Sequence, residues 1–297
     1  MPHGRSIATR LSDGSRSVPP TVLVMLSIGS VQFGAAIAKN LFASLGPGGT
    51  VFLRIAFAAL VLLVLVRPKL GSHDRKAYLI TGLFGLALAL MNLSFYQAID
   101  RIPLGVAVTL EFVGPLGVAV AGSRRILDVA WVMLAAAGIL LLAPLGVFGG
   151  MDLDPVGVAF ALLAGCLWAS YILLSARTGS AFPGGTGLVI ALCVGTVVAA
   201  PVGIAAAGSA LLDPKLLLAG FGVAMLSSAI PFSLELEALR KIPARIFGVL
   251  MSLEPAVAAL AGLVVLGELL EMRAVVAIFF VTVAAAGASL FGEQEEG

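Results

Sequence analysis

Along the chain, uncharged apolar runs of about twenty residues alternate with short polar joints such as "SLGPGG", "GGMDLDP" and "FPGGTG". A helix rises ~1.5 Å per residue, so each run reaches across the ~30 Å hydrocarbon core of a bilayer. The pattern predicts helices near 19–41, 49–66, 77–98, 103–121, 126–147, 155–175, 185–206, 215–239, 243–265 and 272–291. The expected fold is an all-α integral membrane protein of ten transmembrane helices. The first run, Val18 to Ala38, carries no charge. It is long enough to span and stay, and reads as a membrane helix rather than a cleaved signal.

The pattern also repeats. "QAIDRIP" at 97–103 aligns with "EALRKIP" at 237–243, and Pro115 aligns with Pro255; both pairs stand 140 residues apart. Each half then holds five spans. Five is odd, so the second copy must enter the membrane upside down, as two inverted five-helix repeats. Inverted repeats recur in secondary transporters, with the substrate site near the midplane between the halves. The expected organisation is a polar tail at 1–18, a first repeat at 19–147, a second at 155–291 and an acidic tail at 292–297.

Composition fixes the solvent. Of 297 residues, 60% are hydrophobic and 11% charged, and mean hydropathy is +1.11; a soluble domain carries about a quarter charged residues. The expected partner on most of the surface is therefore the lipid bilayer. A net charge of +2 without a basic patch argues against nucleic acid. Cys166 and Cys193 lie in apolar runs without metal-ligand spacing and read as packing residues. No phosphate-binding GxxxxGK[ST] loop and no His-rich cluster occurs in the sequence. No nucleophile–base pair is evident either, so neither an enzyme, a cofactor nor a metal is expected.

Charge sets orientation. With the N-terminus inside, thirteen of the eighteen basic residues fall in inner segments, among them Arg75, Arg124, Arg125 and Arg240, and only Arg101, Lys215 and Arg273 fall outside. The positive-inside rule then puts both termini in the cytoplasm.

Against this apolar background two carboxylates stand out. "VAVTLEFVGPLGVAV" holds Glu111 four residues before Pro115, and "VLMSLEPAVAALAGL" holds Glu254 beside Pro255. Glu111 is eight residues beyond Pro103, hence about 12 Å deep, and Glu254 eleven beyond Pro243, about 16 Å deep. An ionised carboxylate at that depth is expensive, so each is expected to face a cavity, a partner or a proton. Pro115 has no N–H for the carbonyl of Glu111, and Pro255 none for that of Met251. A broken helix with a free carbonyl beside a carboxylate is a candidate site for an ammonium group or a shared proton; the alternative is a plain proline kink. Gln32 and Lys39, seven apart, share a face of the first helix. Lys39 either snorkels to the headgroups or binds a carboxylate. Arg54 reads as a structural or gating charge. Asn92 and Tyr96 form an i, i+4 pair on the third helix, either bonding between helices or touching substrate. Glu235 and Glu237, beside Arg240 and Lys241, are expected in a solvated, interfacial setting.

These blocks carry a resemblance. Two five-helix halves resemble the EamA-type branch of the drug/metabolite transporter superfamily. Within it, "GAAIAKNLF", "PLGVAVTLEFVGPLGVA", "PFSLELEAL", "IPARIFGVLMSLEPAVAAL" and "LGE" are similar to segments of bacterial inner-membrane threonine/homoserine exporters. The resemblance implies a plasma-membrane exporter of small neutral amino acids driven by the proton gradient. Glu111 would take the substrate ammonium, Lys39 or Arg54 its carboxylate, and Glu254 or Glu111 the coupling proton. A carrier of another amino acid, metabolite or drug, and a non-transporting membrane scaffold, are the competing readings.

Overall fold

The computed structural model describes residues 18–68, 71, 74–121, 126–142, 153–182, 185–239, 241–242, 247 and 250–291. Both expected tails, except for Val18, lie outside the described residues, as do Arg124, Arg125 and Arg240. All regular structure among the described residues is helical. The elements are α1 (Pro20–Lys39), α2 (Phe42–Val66), α3 (Arg75–Ile99), α4 (Leu104–Glu111), α5 (Val113–Ala121) and α6 (Ile126–Leu142). They continue with α7 (Pro155–Ala181), α8 (Thr186–Ala207), α9 (Pro214–Ala224), α10 (Ile230–Leu239), α11 (Glu254–Ala261) and α12 (Met272–Phe291).

Among the described residues, five helices are long and apolar enough to cross a membrane: α1, α2, α3, α7, and α8 with the 3₁₀ turn that follows it. Large apolar side chains point outward, Leu65 at 71% and Val197 at 73% exposure. Water would leave such surface unburied, whereas acyl chains cover it. Cys166 and Cys193, expected in packing contacts, stand on this outward surface.

The shorter elements arise because single helices are interrupted. Phe112, with ψ −11°, separates α4 from α5. A π-helical turn at Met225–Ala229 joins α9 to α10, and another at Gly262–Leu266 ends α11. Pro47 lies inside α2 and kinks it, so the straight span starts close to the expected residue 49.

Packing is by adjacent rods. α2 lies against α8, α3 against both α7 and α8, and α6 against α12. α1 packs on α10 and α11, while α11 also packs on α4, which leans on α7. The interior they enclose is mostly small and apolar, such as Ala36, Ala107 and Ala258, but it also holds Gln32, Asn92, Glu111 and Glu254.

Candidate functional site

α1 and α11 meet at a polar contact. Gln32 is 3% exposed and Glu254 5%, and the Gln32 Nε2 donates to Glu254 Oε1 at 3.4 Å. The other acceptor on each side chain, Gln32 Oε1 and Glu254 Oε2, is buried without a partner among the described residues. An unmet buried acceptor is destabilising by about 1–3 kcal/mol. Both belong to the one Gln32–Glu254 contact and both lack a donor, which an added N–H or O–H group, a proton included, can supply.

Glu254 reaches this place because the chain breaks just before it. Pro255 cannot donate to the carbonyl of Met251, and Leu253, at ψ −9°, tightens the backbone so that its N–H bonds to Leu250 O instead, at 3.1 Å. Glu254 then occupies the first turn of α11, where the helix field attracts negative charge. Glu111 is its counterpart at the last residue of α4. It is 7% exposed, and its carboxylate has no hydrogen bond to the described residues. Charge on Glu254 and on Arg54 bears directly on it, and charge on Glu235 bears on Glu254. Arg54, Glu111, Glu254 and Glu235 therefore stand in succession within electrostatic reach inside the bundle.

The helix breaks fall three residues before Pro115 and two before Pro255, at Phe112 and Leu253. The carbonyl that Pro115 frees does not open to a ligand. It faces Gly165 on α7, so closely that a Cβ there would stand 2.6 Å from the Glu111 oxygen. Gly114 packs in turn on the Gly165 carbonyl, leaving no room for a side chain. The expected union of carboxylate and free carbonyl at Glu111 thus gives way to a split: carboxylate toward the polar row, carbonyl into a dry crossing.

Arg54 is anchored. Its Nε donates to Ser228 Oγ (3.3 Å), one terminal nitrogen to Tyr96 Oη (3.2 Å) and the other to Ser227 O (2.9 Å). Pro231 explains the last bond, because it removes the N–H that would otherwise serve the Ser227 carbonyl. Of five guanidinium N–H groups, two have no acceptor among the described residues. Tyr96 lies fully buried beneath Arg54, its ring 5.5 Å from the guanidinium carbon. Tyr96 is therefore a support for Arg54. Asn92 turns back on its own helix, donating to Leu88 O at 2.8 Å.

Lys39 is elsewhere. It pairs with Glu268 at 2.6 Å, and the second oxygen of Glu268 accepts the Leu104 N–H at 2.8 Å, capping α4. Gly267, at φ +68°, reverses the chain after the π-helical turn and lets the Glu268 N–H return to Gly262 O. Sequence reasoning missed Glu268, although the "LGE" motif contains it. It also set Glu235 in water, whereas Glu235 Oε1 accepts from Ser27 Oγ at 2.6 Å, next to a fully buried Ser27. Glu237 does sit beside Lys241, at 3.2 Å. Among the described residues no cluster of His, Cys, Asp and Glu is arranged to hold a metal.

The sequence profile of the EamA-like transporter family matches residues 155–290. The threonine/homoserine exporter RhtA of Salmonella typhimurium is 40% identical over 276 residues, 93% of each chain. The protein of the same name in Escherichia coli K12 is 39% identical over the same share. A solved crystal structure aligns at a TM-score of 0.60 and 18% identity, covering 93% of this chain and 99% of that one, a likeness of fold alone.

Proposed function

We propose, from the premise that this chain belongs to the EamA-like transporter family, that it exports small neutral amino acids, threonine and homoserine foremost, in exchange for protons. It is a membrane transporter and not an enzyme. The observation that carries the substrate reading is the pair of unmet acceptors, Glu254 Oε2 and Gln32 Oε1. An amino-acid ammonium supplies three N–H donors and a positive charge, which is what that pair and the neighbouring Glu111 lack. The two uncommitted N–H groups of Arg54 answer the substrate carboxylate, a planar group that a guanidinium fits better than an ammonium does. Lys39, held by Glu268, leaves that role to Arg54.

Proton and ammonium then compete for the same carboxylates. When the substrate enters from the cytoplasm, its charge displaces the proton from Glu254 and Glu111; when it leaves, a proton from outside takes its place. Exchange of a neutral zwitterion for one proton changes the site's net charge by one. The carboxylate is nonetheless neutralised in either state, by a proton or by an ammonium, so it is never held in lipid as a bare charge.

Ten spans in two inverted repeats, 19–147 and 155–291, suit this cycle. The helix pairings support the arrangement: exchanging the first five spans for the second maps the α3–α7 contact onto α10–α1, and maps α2–α8, α6–α12 and α4–α11 onto themselves. Positive charge in the expected inner segments supports termini in the cytoplasm and a plasma-membrane location.

Counterflow of labelled threonine in proteoliposomes, competed by homoserine, tests the reading, with Glu111→Gln as the companion variant. The expected results are saturable counterflow in the wild type and, in the variant, loss of stimulation by a pH gradient. A folded Glu111→Gln protein with unchanged pH response would sink the proton-competition mechanism.

A further inference from the structure

Glu235 lies outside the pair that holds the substrate, yet it is tied to the same row. It projects from α10 onto Ser27 of α1, one polar contact among the apolar neighbours Leu23, Val24 and Ile28. Its position along the bundle is set by the chain: it lies four positions before the end of α10 at Leu239, and Glu237 and Lys241 follow at that end. Exposure rises in the same direction, from 5% at Glu254 to the half-buried Glu235. Charge on Glu235 bears on Glu254 of α11 and on Tyr171 of α7, and on its own helix Glu237 is paired with Lys241.

The contact with Ser27 has a second acceptor. Ser27 Oγ lies 2.6 Å from Glu235 Oε1 and 3.4 Å from the carbonyl oxygen of Pro231. A hydroxyl has one proton to donate and lone pairs to accept with. When Glu235 is a carboxylate, Ser27 donates to it. When Glu235 carries a proton, the carboxyl O–H donates to Ser27 Oγ, and the Ser27 proton turns to Pro231 O. Both protonation states keep every donor and acceptor of the contact matched, so neither is penalised by an orphaned buried group. Glu268 differs: its two oxygens are met by an ammonium and a backbone N–H, donors that suit only the carboxylate.

We infer that Glu235, switched by the Ser27 hydroxyl, is the relay through which the coupling proton passes between the substrate-holding carboxylates and the end of the bundle that bears Glu237 and Lys241. The inference rests on the proton-exchange reading above. In the transfer, an O–H bond of the Glu254 carboxyl breaks as one forms on the Glu235 carboxylate. One acid is lost and one gained, so the pair's net charge is unchanged. Glu235 then gives the proton to water at the cytoplasmic end. Ser27 is a positioning residue: it carries no net proton and adjusts its hydrogen bond to whichever state Glu235 adopts.

Two measurements on the reconstituted full chain test this. Glu235→Gln is expected to keep threonine counterflow within about twofold but to lower accumulation driven by a pH gradient by roughly tenfold or more, as loss of a proton-transfer group does. Ser27→Ala should give a smaller loss of driven accumulation, and Glu235→Asp should restore part of it. Loss of counterflow and driven uptake together in a folded Glu235→Gln protein, or retention of both, overturns the relay. The second readout needs no substrate: infrared difference spectra between acidic and neutral pH should show a protonated-carboxyl band that Glu235→Gln removes and Ser27→Ala shifts. An unchanged carboxyl region in Glu235→Gln overturns the relay. If wild-type threonine counterflow is absent, the substrate reading fails by itself, and the infrared result still decides the relay.

Discussion

Lys39 and Gln32 are two turns apart on α1, yet the charged clusters around them are bonded in opposite ways. At Lys39 both oxygens of Glu268 are met, one by the ammonium at 2.6 Å and the other by the Leu104 N–H at 2.8 Å. At Gln32 the Glu254 carboxylate has one contact, at 3.4 Å, and one oxygen with none. The first cluster is complete within the protein; the second leaves two buried acceptors without a donor among the described residues. Polarity inside a membrane therefore splits into two kinds, and counting partners separates them better than depth does. A satisfied charge fastens helices together, while an unsatisfied one is, on the proposed reading, met by the substrate.

The sharpest way to break this contrast is Glu254→Gln. Removing the charge that carries one of the unmet acceptors should weaken threonine binding by about 3 kcal/mol, roughly a hundredfold, read as the half-saturating concentration in counterflow. A change below about threefold would mean the open cluster is not a binding site. Next, Glu268→Gln loses the ion pair and weakens the cap on α4. It should lower unfolding stability by about 1–2 kcal/mol, measured by denaturation in detergent micelles, with threonine affinity little changed. The smallest effect belongs to Lys39→Gln, worth under about 1 kcal/mol because the pair is partly solvated, with counterflow intact. If that variant folds normally and stops counterflow, Lys39 meets the substrate and the two clusters are not of different kinds.

Much of the architecture could be read from local pattern. Apolar run length marks α1, α3 and α8 to within a few residues at most ends, because span length is dictated by bilayer thickness. Pro115 and Pro255 announced the interruptions at Phe112 and Leu253, since a missing N–H acts within one turn. Local pattern was silent on partners. The Lys39–Glu268 bond joins residues 229 positions apart, and the Gln32–Glu254 bond joins residues 222 apart. Nothing in either neighbourhood announces the other end. Glu235 misled for a related reason: its neighbours in sequence, Glu237 and Lys241, suggest water, whereas its neighbour in space is Ser27. Arg54 likewise finds the π-helical turn at Ser227 and Ser228, a turn that no residue near position 54 encodes.

The crossing of Gly114 and Gly165 has a mechanical meaning. Where α4 passes into α5, the Glu111 carbonyl has lost its helical donor and rests against a bare α-carbon. A tilt there would rupture no N–H···O bond to the Glu111 carbonyl and carry no side chain across Gly165. The crossing sets a contact with no hydrogen bond and no side chain beside the Glu111 carboxylate, where a pivot between two helical segments would meet least resistance.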